Sequence, residues 1–208
     1  NKAQEEKILR LAQEKETLQA ELKVLQAQIE PHFLFNTLSN IHSLIQIDIK
    51  QAEKMLLNLT DFLRSTLARS RKTKITLGEE IEIIRIYLEI QQIRMGKRLQ
   101  FHLELDQQIS DFLVPPMLIQ PLVENSIQHG LESQVDGRDI PISAFKQGNL
   151  IIIKVSDTGS GFTNDHANGI GLSNIKNRLQ LFFGGSSRLL LEENQPTGVI
   201  ATLEIPYD

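Results

Sequence analysis

The sequence predicts two architectures in one chain: a helical N-terminal third that pairs with a second copy, then an α+β sandwich with helices on one face of a sheet. Three observations carry this. A narrow apolar heptad seam runs from Ile8 to Ile29. Apolar residues then continue at helical spacing to Ala68. Beyond Lys74, strand-like alternations are interspersed with capped helices. The predicted divisions are 1–30, a coiled-coil helix; 31–74, a helical hairpin; and 75–208, the α+β domain.

Composition narrows the function classes. The chain has 208 residues, enough for one or two domains with a real core. Its formal net charge is −4 with both signs well mixed, so the basic stripe of a direct nucleic-acid binder is missing. Its nearest approach is Arg69, Arg71, Lys72 and Lys74, read as cations favoured at a helix C-terminus. Without cysteine, disulfides and thiolate metal sites are excluded. No apolar run approaches the roughly 18 residues needed to span a bilayer. No signal-peptide pattern is visible and the chain opens on Asn1, so a soluble, cytoplasmic piece of a longer protein is expected.

Each element has its own signal. With Ile8 at heptad position a, Lys15, Leu22 and Ile29 follow at a, and Leu11, Leu18 and Leu25 at d. Lys15 alone breaks the seam, and a lysine at one a position can fix register and partner number, so a parallel homodimer is expected. Pro31 interrupts this helix. Helical spacing resumes through Phe33, Leu34, Leu38, Ile41, Leu44 and Ile45, then from Ala52 to Ala68. Two such helices with a short polar link predict an αα-hairpin, and two hairpins across a twofold axis a four-helix bundle. Thr76 caps a helix to Arg94, with Glu79 completing a capping box. Leu99, Phe101, Leu103 and Leu105 alternate as a strand does. Pro115 and Pro116 precede a helix from about Met117 to His129, stopped at Gly130. Leu150 to Val155 reads as a buried strand, Gly169 to Phe183 as a helix stopped by Gly184 and Gly185. Strands Arg188–Glu192 and Val199–Ile205 close the chain.

Four motifs carry chemistry. QIEPHFLFNTLSNI places His32 after a proline with Asn36 four residues on; alone, it reads first as a core or interface histidine. PLVENSIQHG sets Asn125 on a helix, where its carbonyl oxygen is a hard ligand suited to Mg²⁺ held mostly by phosphate and water; alone, it is also a surface asparagine. In DTGSGF, Asp157 can accept from an exocyclic amine such as adenine's, and the glycines admit a flat ligand; alone, it is also an ordinary Asx-Gly turn. GIGLSNIKNRL opens a helix whose free amides make an anion site; alone, it is also a loop with a cap. The polar stretch from Thr163 to Asn168, between the last two, is short enough to be a lid.

In conjunction these motifs resemble the N, G1 and G2 boxes of the Bergerat ATP-binding fold. With QIEPHFLFNTLSNIHSL and YLEIQQIRMGKRL, residues 28 to 206 resemble the LytS-type sensor histidine kinases. That resemblance implies an ATP-dependent protein-histidine kinase with Mg²⁺, working as a homodimer. It implies His32 as phosphoacceptor, Asn125 as metal ligand and Asp157 as adenine contact. Gly159 and Gly161 would shape the adenine pocket, Gly169 and Gly171 would offer amides to phosphate, and Thr202 would assist at adenine. His129 would reach phosphate, or simply favour the helix dipole. The implied partner is a response regulator, of LytTR type, that receives the phosphoryl group on an aspartate. The membrane would be reached only through a sensor region N-terminal to this chain. Strain arriving through the coiled coil is the expected control.

Asn36 shares a helical face with His32. It could orient a water or phosphoryl oxygen for the reverse, phosphatase reaction, or bond to local backbone. Two positions depart from related patterns. Phe33 stands where many histidine kinases place an acid, leaving Glu30, across the proline, and no assigned general base. Pro121 stands where hydrolytic relatives place the water-activating glutamate; Glu124 lies about 100° from Asn125 around the helix and cannot simply substitute. A hydrolytic ATPase and a non-catalytic ATP-binding scaffold are the alternatives.

Overall fold

The computed structural model describes residues 30–70, 72–131, 138–159, 161 and 170–207. The heptad segment, Gly169 and the stretch from Thr163 to Asn168 lie outside them. The chain divides into two compact units, one ending at Leu56 and the other beginning at Leu57.

In the first unit, α1 (Pro31–Ile47) starts on Pro31 at its first position, where the missing N–H has no intrahelical partner to lose. It buries Phe33, Thr37 and Ile41, one turn apart along a single face. The buried Thr37 hydroxyl is satisfied by donating to the Phe33 carbonyl at 2.7 Å. Asp48 is the whole link to α2 (Ile49–Ser70). Its N–H closes α1 on the Leu44 carbonyl, and its carboxylate accepts from the Gln51 N–H at 3.1 Å. This cap explains why α2 starts three residues before the expected Ala52.

In the second unit, residues 57–70 of α2 bury Leu59 and Phe62, with Phe62 against Tyr87 of α3 (Leu77–Met95) at 5.9 Å between ring centroids. The capping box at the start of α3 is formed. Thr76 accepts from the Glu79 N–H at 3.1 Å, and the Glu79 carboxylate accepts from the Thr76 N–H at 2.9 Å. A short antiparallel pair, β1 (Ile75–Thr76) with β3 (Leu113–Val114), brackets it. The main sheet has the order β2-β4-β5-β7-β6, comprising β2 (Leu99–Leu105), β4 (Arg138–Gln147), β5 (Leu150–Ser156), β6 (Arg188–Glu193) and β7 (Val199–Pro206). Its β2–β4 pair is parallel and the others antiparallel. Onto it pack α3 at β2, α4 (Gln120–Leu131) at β4 and β5, and α5 (Ile170–Phe183) at β6 and β7. The core includes Ile140 and Ile142, Ile151 and Ile153, and Leu203 and Ile205 of the sheet, with Ile84, Leu88, Val123 and Ile175 of the helices.

Two elements depart from expectation. Strand β4 has no counterpart in the sequence reading, and it contains Pro141, a residue disfavoured in an interior strand. The structure accommodates it: the β4–β5 ladder begins at Ile142, so Pro141 faces only β2. Helix α4 starts at Gln120, three residues after the expected Met117. The carboxylate of Glu80 takes the backbone N–H groups of Met117, Ile119 and Gln120, and Met117 sits at φ 59°, outside helical geometry.

Candidate active site

The N-terminal end of α1 presents His32 with 69% of its side chain exposed. Asn36, one turn on, reaches the ring: its Nδ2 lies 3.0 Å from Nε2 and 3.4 Å from Nδ1. The amide N–H can donate to whichever ring nitrogen carries the lone pair, and Nε2 is the nearer. The carboxylate of Glu30 stands 3.9 Å from Nδ1. Asn36 therefore binds the imidazole itself rather than local backbone.

Asp157 follows β5 and is 7% exposed. The turn is built around its carboxylate. Oδ1 accepts from the Gly159 N–H at 2.7 Å and the Val199 N–H at 3.3 Å. The Asp157 N–H donates to the Val199 carbonyl at 2.9 Å, and Asn194 Nδ2 donates to the Asp157 carbonyl at 2.7 Å. Oδ2 takes no hydrogen bond from the described residues. Gly198 backs the turn at φ 124°; a Cβ there would overlap the Asp157 carbonyl oxygen and lie 3.0 Å from the Gly159 nitrogen. Gly161 takes φ 81°, which a side chain disfavours. Sequence reasoning missed Asn194, Gly198 and Val199. The only local sign was a glycine between Thr197 and Val199 at the start of a strand.

Asn125 is half-buried on α4, and its Nδ2 lies 3.8 Å from where a Cβ on Gly171 would stand. Two motifs far apart in sequence thus meet at the N-terminal end of α5, within van der Waals reach of each other. His129 falls within α4. Thr202 is not brought to this site. It pairs with Lys154 of β5, whereas Ala201 pairs with Val155, and side chains alternate between faces. Asp157 meets Val199, on the Ala201 face, so Thr202 occupies the opposite face of the sheet. The adenine contact expected of Thr202 is corrected accordingly: the β7 residue at Asp157 is Val199. Of the basic cluster, Arg69 stands in the last turn of α2 as expected; it is also 3% exposed and ion-paired to Glu80.

Residues 20–99 match the family described as histidine kinase. Over 201 residues, 90% of this chain and 34% of the relative, the sequence is 35% identical to the sensor protein LytS of Staphylococcus epidermidis. It is likewise 35% identical to the sensor histidine kinase/phosphatase LytS of Staphylococcus aureus, over 91% of this chain and 35% of that protein. The chain thus spans about a third of the length of the curated relatives it matches. Among solved structures, the histidine kinase domain of a blue-light-activated kinase from Erythrobacter litoralis superposes with a TM-score of 0.53. It is 17% identical, covering 92% of this chain and 93% of that one, and shares the fold. Family match, sequence relatives and fold agree: the chain belongs to the histidine kinase family, as a LytS-type sensor kinase relative.

Proposed function

We propose that this chain is the kinase core of a two-component sensor, moving the γ-phosphoryl group of ATP onto His32 and from there to an aspartate of a response regulator. One observation carries the reading: the Asn125 carboxamide lies against Gly171 at the start of α5, which unites a hard oxygen ligand with helix-end amides. Asp157 completes the nucleotide site, its Oδ2 accepting from the adenine amine while Oδ1 holds the turn. Gly159 and Gly161 keep that turn low enough for a flat base, and Gly169 and Gly171 offer amides to the phosphates. His129 is assigned to the phosphate end of the site.

Among the described residues no three His, Cys, Asp or Glu side chains cluster as a metal site. Mg²⁺ would therefore be held by Asn125 together with phosphate and water oxygens, and would supply charge neutralisation. The Nε2 lone pair of His32 forms the new N–P bond as the bond from phosphorus to the β–γ bridging oxygen breaks, and ADP leaves with those electrons. The Nδ1 proton stays in place, faced by Glu30, which supplies from before Pro31 the acid that Phe33 lacks. An aspartate oxygen of the response regulator, expected to be of LytTR type, then takes the phosphoryl group and restores the imidazole.

Asn36 must release Nε2 before attack, and in the reverse, phosphatase reaction it orients the water or phosphoryl oxygen. The S. aureus relative's name, kinase/phosphatase, supports that assignment. The expected homodimer is supported by apolar residues left exposed along one stripe of α1, Phe35, Leu38 and Ile45; a coiled coil over 1–30 and a four-helix bundle over 31–74 would provide the twofold. The kinase domain is 75–208. No helix among the described residues is long and apolar enough to cross a membrane. A cytoplasmic position beside a membrane-borne sensor region is proposed from the resemblance.

The test is incubation with γ-labelled ATP and Mg²⁺, comparing wild type with His32→Gln. Acid-labile, base-stable label on the wild-type protein alone supports the kinase. Free phosphate without protein label would indicate an ATPase, and neither product a non-catalytic scaffold.

A further inference from the structure

A chain of polar groups, buried at Arg69, Glu80 and Gln120, ends one residue before Asn125 and is left unused by the phosphoryl-transfer reading. Glu80 is 0% exposed, and a buried carboxylate persists only with several donors. It has four. Oε2 accepts from Arg69 Nη1 at 2.8 Å and the Met117 N–H at 3.1 Å. Oε1 accepts from the N–H groups of Ile119 at 3.2 Å and Gln120 at 3.4 Å. The second arm of the guanidinium, Nη2, donates to Gln120 Oε1 at 3.2 Å. The other end of that amide, Nε2, donates to Glu124 Oε1 at 2.7 Å. Glu124 is the residue before Asn125. From the opposite side, Arg178 of α5 donates to the Pro116 carbonyl, tying down the same turn.

The chain of contacts thus runs from the last turn of α2, through α3, to the first turn of α4. Burial lowers the pKa of Arg69, while Glu80 and Glu79 act against that shift. Hydrophobic residues of similar volume would hold these helices together as well or better, so stability alone does not account for the arrangement. A directional network instead selects one geometry. Here that geometry is the starting point and rotation of α4.

We propose that Arg69, Glu80, Gln120 and Glu124 form a positioning relay that holds the Asn125 carboxamide over Gly171, and so sets the Mg²⁺-dependent part of nucleotide binding. This rests on the reading of Asn125 as the Mg²⁺ ligand. None of the four touches nucleotide in this account; all act through Asn125. Adenine recognition at Asp157 lies outside the relay, so binding of metal-free ATP should be insensitive to it.

The test measures ATP affinity of the 208-residue chain with Mg²⁺ and with EDTA, alongside thermal unfolding. The variants are Gln120→Leu, Glu124→Leu and Glu124→Gln. Wild type should bind more tightly with Mg²⁺. Both leucine variants should lose about tenfold of that gain, the scale of one hydrogen bond, with metal-free affinity unchanged. Glu124→Gln, which keeps an acceptor for Gln120, should retain it. If both leucine variants keep the Mg²⁺ gain, or lose metal-free affinity in step with stability, the relay is only structural. If Glu124→Gln fails as badly as Glu124→Leu, charge and not tethering matters, and the proposal is overturned. Should Gln120→Leu not fold, the half-exposed Glu124 pair still decides the matter. A wild type without any Mg²⁺ gain would instead remove the metal-ligand reading of Asn125, and the relay with it.

Discussion

Two polar centres of this molecule, at His32 and at Glu80, are built in opposite ways. At His32 the side chain is largely exposed, and its partners, Glu30 and Asn36, lie within four residues. At Glu80 the side chain is fully buried, and the amides it holds are 37 to 40 residues away. The first is a group kept accessible, suited to meeting another molecule or domain. The second is a group withdrawn from water to fix geometry. Exposure and range of contact thus separate chemistry from positioning, and substitutions at the two places should separate as well.

The largest stability effect is expected at Glu80. Glu80→Gln leaves the Arg69 charge buried without its counter-ion, and should cost about 3–5 kcal/mol in denaturant unfolding. His32→Gln should change stability by less than about 0.5 kcal/mol while removing all phosphohistidine, since an exposed side chain stabilises little. Equal stability losses at the two positions would break the comparison. Next comes Gly198→Ala, whose Cβ must displace the Asp157 turn. About 3 kcal/mol of stability should be lost, together with most ATP affinity, measured by calorimetry. Among the described residues Gly161→Ala has only the Gly198 nitrogen near the new Cβ, at 4.0 Å, so it should cost about 1–2 kcal/mol, mainly for its positive φ.

Asn36→Ala sharpens the local side of the contrast. Dephosphorylation of the response regulator should fall about tenfold, the worth of one hydrogen bond, and autophosphorylation should change less. Equal loss of both activities would refute the assignment of Asn36 to the reverse reaction. The smallest effect belongs to Glu79, whose carboxyl Lys72 and the Thr76 N–H hold below its ordinary value of 4.5. A lowered folded pKa adds stability that is complete above the ordinary value and lost as pH falls through the folded one. Glu79→Gln should therefore flatten the acid limb of a melting-temperature profile, and cost less than about 1 kcal/mol at pH 7.

What could be read in advance divides along the same line. The capping box at Thr76 and Glu79 was legible because its partners are three residues apart. The stripes of α1 and α2 were legible because helical period is a local property. The start of α4 was not, because no feature of Pro115 to Gln120 reveals a carboxylate waiting on α3. Nor was β4, because Pro141 is forbidden only where a ladder needs its N–H, and register decides that. Thr202 failed for the same reason: one step along a strand changes the face, and nothing in the segment sets that phase. At Asp157 the turn was readable from DTGSGF, while Gly198 and Asn194, which hold it from across the sheet, were not.

One exposed imidazole, that of His32, is proposed to receive the phosphoryl group. Mass-spectrometric mapping of the chain after incubation with Mg·ATP tests it most directly, because five histidines compete on equal terms. Phosphate is expected on His32 alone, bonded at Nε2. Phosphate on His42, His102, His129 or His166 instead, or on none of them, would contradict it.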